Sequence, residues 1–189
     1  MTVLERRDRP ASDFRSGAPI GDTGPVPPLT ATCLCLLTRA TADGQSEVLL
    51  GHKKTGLGTG KIVGLGGHVE DGETPAEAAV RESKEESGVH VPLGALTEGA
   101  FVTFLFPVRP AWDMTAAVFL AAEHSGNPFE TDEIRPEWFP RAALPLGRMW
   151  DDARYWLPRV LAGERLRATF TYAADCETVA EADLGPLTA

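Results

Sequence analysis

The stretch from Gly67 to Val89 restricts this fold more than any other part of the chain. Thr74 is a favoured helix N-cap, and Pro75 suits the first helical position, where no backbone N–H is needed. Glu77 stands three residues after the cap and completes a capping box, while Gly88 supplies the residue type that ends helices. The spacing predicts a helix over 74–88. Ala76, Ala79, Val80 and Ser83 recur at i, i+3, i+4 and i+7, a small-residue face suited to close packing on a sheet. Glu82, Glu85 and Glu86 recur at i, i+3 and i+4, which gathers them into a narrow arc read as opposite that face.

Like charges on adjacent helical turns cost about a few tenths of a kcal/mol per pair. One reading is a solvated acidic face, relieved by Arg81 and Lys84. The other is a site for a hard cation. Mg²⁺ takes oxygen ligands and is commonly held by one or two carboxylates together with substrate phosphate oxygens. Glutamates on one rigid face supply that chemistry, and the ion removes their repulsion.

Around this helix the pattern alternates between strand and helix without the regularity of a βαβ repeat. Strands are expected at 29–37, 47–52, 62–69, 89–91, 100–106, 115–121, 137–140 and 167–172, with a turn at Ala42-Asp43-Gly44 between the first two. A second helix is expected over 151–162, with Pro158 inside it, and a final strand after 173. The class is α+β, a mixed sheet carrying helices. Residues 1–28, rich in proline and lacking a hydrophobic period, read as a tail, and 29–189 as one domain.

Charge narrows the partners. The net charge is −9, so the chain gains no counterion release from a nucleic acid polymer, though metal ions and local lysines still admit a small phosphate ligand. No apolar run is long enough to span a membrane, and no apolar signal core follows Arg6, Arg7 and Arg9. Three cysteines without a CxxC pair favour reduced thiols in a cytosolic protein.

The window from Gly67 to Val89 resembles the signature of the Nudix hydrolases. Gly67, Glu73, Arg81, Glu82, Glu85, Glu86, Gly88 and Val89 stand at the family's fixed positions, and Ser83 stands where an aliphatic residue is usual. The resemblance implies an α/β/α sandwich around a mixed β-sheet. It implies Glu82, Glu85 and Glu86 as ligands of Mg²⁺, with Mn²⁺ as a substitute, and the Gly67 carbonyl as a further ligand. Arg81 and Glu73 are expected to pair and hold the loop on the helix. Glu133 is the candidate for an additional carboxylate that binds metal or orients the attacking water. Ser83 is expected to weaken the contact between helix and sheet.

The resemblance extends beyond the window: the run from Leu49 into it at Thr74, the segment TDEIRPEWFP and the sequence MWDDARYW resemble the MutT-like branch that hydrolyses oxidised purine nucleoside triphosphates. The resemblance implies Lys53 near the nucleotide and Met114, Trp150 and Asp152 in the base pocket. Val63 stands where the branch has a base-reading asparagine; where it has two adjacent acids, ungapped alignment gives Asp152 and Ala153, and a shift by one gives Asp151 and Asp152. These departures leave other oxidised purines and canonical nucleotides open as substrates. Nucleotide sugars, ADP-ribose and dinucleoside polyphosphates are alternatives within the family, and a catalytically silent nucleotide-binding regulator is an alternative outside enzymology. The assembly is expected to be a monomer or a homodimer.

Overall fold

The computed structural model describes residues 29–188, and the expected tail lies outside them. Eight strands form one sheet: β1 (Thr30–Ala40), β2 (Ser46–Lys53), β3 (Ile62–Val63), β4 (Thr97–Leu105), β5 (Met114–Ala121), β6 (Ile134–Pro140), β7 (Leu166–Tyr172) and β8 (Val179–Pro186). Two helices accompany it, α1 (Pro75–Ser87) and α2 (Ala153–Leu161). The strand order is β3-β2-β1-β5-β4-β7-β8, with β6 paired to β2 as well. The β1–β5 and β4–β7 pairs are parallel and the others antiparallel, so the sheet is mixed.

Alternation along β1 sorts side chains to two faces. Cys33, Cys35 and Leu37 join Leu49, Leu65, Val89 and Ile134 in a core closed by Ala78 and Ala79 of α1. Leu36 joins Val48, Leu50, Val102 and Phe170 in a second core closed by Trp156, Leu157 and Val160 of α2. Each such large apolar side chain contributes about 1.5–3 kcal/mol by leaving water. One helix on each face gives the sandwich expected for α+β chains of this kind. Among the described residues no helix is long and apolar enough to cross a membrane.

Several local expectations are corrected. The buried residues of α1 are Ala78, Ala79, Ser83, Glu86 and Ser87, while Ala76 and Val80 are only half-buried. The packed face is therefore rotated, and Glu86 belongs to its edge instead of lying opposite it. Ser83 is fully buried, and its hydroxyl donates to Ala79 O at 2.8 Å. Residues 89–91 form no strand. Val89 and Val91 are buried, but the segment makes only an isolated bridge, His90 to Ser125. The extended stretch at 62–69 pairs as a strand only at Ile62–Val63 and then touches β1 through bridges at Leu65 and His68. Strand β6 starts at Ile134 and passes through Pro136, a residue tolerated because β6 pairs with β2 alone and so forms an edge.

Candidate active site

Two features of chain geometry bring the glutamates to one place. The capping box forms as its sequence dictates: Glu77 N donates to Thr74 Oγ1 at 3.2 Å, and Thr74 N donates to Glu77 Oε2 at 2.7 Å. At the other end, Gly88 adopts φ 74° and its N–H donates to Lys84 O at 2.8 Å, a left-handed stop that a side chain would oppose. The loop ahead of the helix is pinned to β1 by Cys33 N donating to Gly67 O at 2.9 Å and Cys35 N donating to Leu65 O at 2.7 Å. A Cβ on Gly66 would stand 2.1 Å from Cys33 O, so only glycine lets this loop lie so close. The loop and the glutamate face of α1 then meet.

Arg81 organises one side of the cluster. Its guanidinium donates to Glu73 at 2.6 and 3.2 Å, to Glu82 at 2.8 Å, to Glu85 at 3.1 Å and to His68 O at 2.9 Å. These hydrogen bonds, Glu73's foremost, raise the Arg81 pKa further and hold the Glu73 carboxyl below its usual range. Lys53, on β2, organises the other side. Its Nζ donates to Glu86 Oε1 at 3.1 Å and to Glu133 Oε2 at 3.3 Å. Burial alone lowers the lysine's pKa, but the charge and hydrogen bond of Glu86, followed by Glu133, carry the net shift upward.

The carboxylates differ sharply in exposure. Glu86 is 4% exposed, and its Oε2 also accepts from Gly66 N at 2.8 Å. Burial pushes its carboxyl up to about 7, against the pull of the Gly66 N–H and the Lys53 ammonium. Glu85 is 60% and Glu133 64% exposed. Glu82, Glu85, Glu86, Thr131, Asp132 and Glu133 together line a cavity of about 270 Å³. Among the described residues no three acidic, histidine or cysteine side chains converge tightly enough to hold a metal ion. The ion pairs explain this: Arg81 draws Glu82 and Glu85 one way, and Lys53 draws Glu86 and Glu133 the other. The donor set nevertheless fits a hard divalent cation. Five carboxylates, those of Glu82, Glu85, Glu86, Asp132 and Glu133, share one cavity, and the carbonyl of Gly67, a residue that lies against Glu82, keeps a lone pair free after its bond from Cys33.

A larger cavity of about 810 Å³ adjoins the first: Glu82, Glu85, Glu86 and Glu133 line both, and Lys53 lines the larger one. Its inner wall includes Leu34, Val63, Phe104, Trp112, Met114, Trp150, Asp152 and Ala153. Asp152 is almost fully buried. It accepts from Trp156 Nε1 at 2.7 Å and from the Tyr172 hydroxyl, and burial raises its pKa despite both bonds. Burial, then Asp152's charge, raises the Tyr172 pKa in turn. Phe106 stacks on Tyr172 with ring centroids 4.4 Å apart, and Trp150 meets both rings edge-on. The structure thus places Lys53, Met114, Trp150 and Asp152 on one cavity with the glutamate cluster. Sequence reasoning missed Trp156 and Tyr172. Trp156 was findable from its i+4 spacing to Asp152 on a helix, whereas nothing local in β7 singles out Tyr172.

A family model described as NUDIX domain matches residues 28–160. The chain is 39% identical over 137 residues to an oxidized purine nucleoside triphosphate hydrolase of Danio rerio, covering 72% of this chain and 86% of that protein. It is 37% identical over 126 residues to the Mus musculus protein of the same description, covering 67% of this chain and 79% of that one. Among solved structures, a MutT protein from Bacillus halodurans superposes with a TM-score of 0.68 at 23% identity, over 85% of this chain and all of the other, a likeness of fold.

Proposed function

The chain belongs to the NUDIX domain family, and from that premise we propose that it is an enzyme of nucleotide-pool sanitation, hydrolysing a purine nucleoside triphosphate to the monophosphate and pyrophosphate. Oxidised purines are the preferred bases and Mg²⁺ the metal. The observation that carries this reading is the junction of the two cavities. An aromatic-walled space of base-binding size opens onto a carboxylate-lined one, and Lys53, on the larger, bonds to Glu86 and Glu133, which line both. The two animal relatives support the substrate class.

Glu82, Glu85, Glu86 and Glu133, with the Gly67 carbonyl, would hold the divalent ion. When bound, that ion supplies positive charge to the phosphoryl oxygens and acidifies the attacking water. Arg81 keeps the glutamate face aligned with the Glu73 loop. Lys53 holds Glu86 and Glu133 together and has a third N–H to give a substrate phosphate. Glu133, more exposed than Glu82, Glu85 or Glu86, is placed to take a proton from water and return it to solvent. Trp150 and Met114 bracket the base, and Asp152 reads its edge.

The test is product analysis. With 8-oxo-dGTP and Mg²⁺ the products are the monophosphate and pyrophosphate, and a chelator stops the reaction. Release of orthophosphate and a diphosphate, or turnover undiminished by the chelator, would refute the assignment.

A further inference from the structure

Lys61 closes the glycine-rich loop that runs from Gly56 to Gly60. Its carbonyl accepts from Lys53 N at 2.9 Å and its own N–H donates to Gly58 O at 2.9 Å, so its backbone is fixed by the same strand that carries Lys53. The side chain reaches across Trp150, and Nζ lies 4.6 Å from the indole centroid. Beyond the indole it forms an ion pair with Glu177, in the turn between β7 and β8. That turn is itself anchored. Asp175 Oδ1 accepts from the backbone N–H groups of Glu177 and Thr178 at 2.9 Å, and Val179 N donates to Asp151 Oδ2 at 2.9 Å. A Cβ on Gly58 would stand 3.0 Å from Trp150 Nε1, so the loop also lies tight against the indole edge.

Three segments far apart in sequence therefore meet around one ring. Phe106 and Tyr172 fix the indole edge-on, at 72° and 82°, and the Lys61 ammonium covers a face. Trp150 lines the larger cavity, whereas Lys61 is not among its lining residues. A cation on one aromatic face and a flat base on the other is a compatible pair of contacts, because each uses a different side of the π-system.

We propose that Lys61 is a positioning residue for the base: tethered by Glu177, it holds the Trp150 indole in the orientation that presents its free face to the bound purine. This rests on the purine triphosphatase reading. Its signature is uniform binding, a KM effect without a kcat effect, since Lys61 bonds to none of the carboxylates that line the smaller cavity.

The experiment is a double-mutant cycle on the full chain. Lys61→Met raises KM for the preferred purine triphosphate about fivefold with kcat within about twofold, the scale of a partly exposed cation–π contact. Lys61→Arg restores most of the loss, because a guanidinium also sits on an indole face. Glu177→Gln reproduces part of it. In a Trp150→Leu background, Lys61→Met has no further effect on KM. An equal rise in KM with and without Trp150, or no rise at all, overturns the proposal. Near-ultraviolet circular dichroism of the substrate-free protein gives a readout independent of turnover. Lys61→Met alters the aromatic spectrum when Trp150 is present and leaves it unchanged after Trp150→Leu; a spectrum indifferent to Lys61 also overturns the proposal. Failure of the functional reading looks different, since the unaltered protein would then release no pyrophosphate from any purine triphosphate.

Discussion

Gly67 lies directly against the carboxylate of Glu82: a Cβ at position 67 would stand 2.3 Å from Glu82 Oε1 and 2.6 Å from Cδ. The obstructing atoms are the far end of a flexible side chain, so an added methyl pushes Glu82 aside instead of breaking the fold. Gly67→Ala is expected to lower kcat/KM about tenfold or more, because displacement of a catalytic group by about 1 Å can cost far more than that. The melting temperature should fall by no more than about 2 °C, well within the shift of a mild surface substitution. Paired activity assays and thermal melts measure both. Lost activity with a collapsed melting temperature would mean the glycine serves the backbone and not Glu82.

The Arg81–Glu73 pair gives a pH prediction. Hydrogen bonds from Arg81, then from Glu70 N, hold the Glu73 carboxyl below its usual value of 4.5. A depressed carboxyl contributes stability above its unfolded value and loses it as pH falls through the folded one. The difference in melting temperature between the unaltered protein and Glu73→Gln should therefore be full at pH 7 and shrink progressively below pH 4.5. A difference that stays constant across that range would dismiss the pairing as a source of stability.

Asp152 runs the opposite way. Burial keeps its pKa above the usual 3.8, so the folded protein retains a proton that the unfolded chain has released. The corresponding stability is present below 3.8 and is lost as pH rises through the folded value. Asp152→Asn should flatten that slope. Asp152→Ala removes the acceptor for both Trp156 Nε1 and the Tyr172 hydroxyl, and should cost about 2–4 kcal/mol by leaving two buried donors unmet. Denaturant titration checks the magnitude. A cost below about 1 kcal/mol would mean that water replaces the carboxylate there.

The thiols of Cys33 and Cys35 are fully buried, and burial pushes each up to about 11. An aromatic disulfide reagent at pH 8 should label neither in the folded protein and both after unfolding. Rapid labelling under native conditions would show that β1 opens locally.

Much of this site was legible in the chain because helix punctuation and glutamate spacing are local. Thr74, Glu77 and Gly88 fix where α1 starts and stops, and Glu82, Glu85 and Glu86 then share a face by helical period alone. What periodicity could not give was the rotation of that face. Ala78 and Ser87 turn inward because the Cys33–Cys35–Leu37 face of β1 lies beneath them, which buries Glu86 with them. Contacts between distant segments were equally hidden. Lys53 meets Glu133 only through the β2–β6 pairing, and Tyr172, on β7, meets Asp152, at the start of α2, across twenty residues of chain. Lys61 on Trp150 belongs to the same kind: the sequence marks Trp150, but nothing near Lys61 ties it to that ring.

The most direct test is kcat/KM for pyrophosphate release with Mg²⁺ across 8-oxo-dGTP, 2-oxo-dATP, the canonical NTPs and dNTPs, ADP-ribose and diadenosine polyphosphates. The account predicts an oxidised purine triphosphate at the head of that series, with Glu82→Gln folded but inactive on it. Preference for ADP-ribose or a dinucleotide, or full activity in Glu82→Gln, would contradict it.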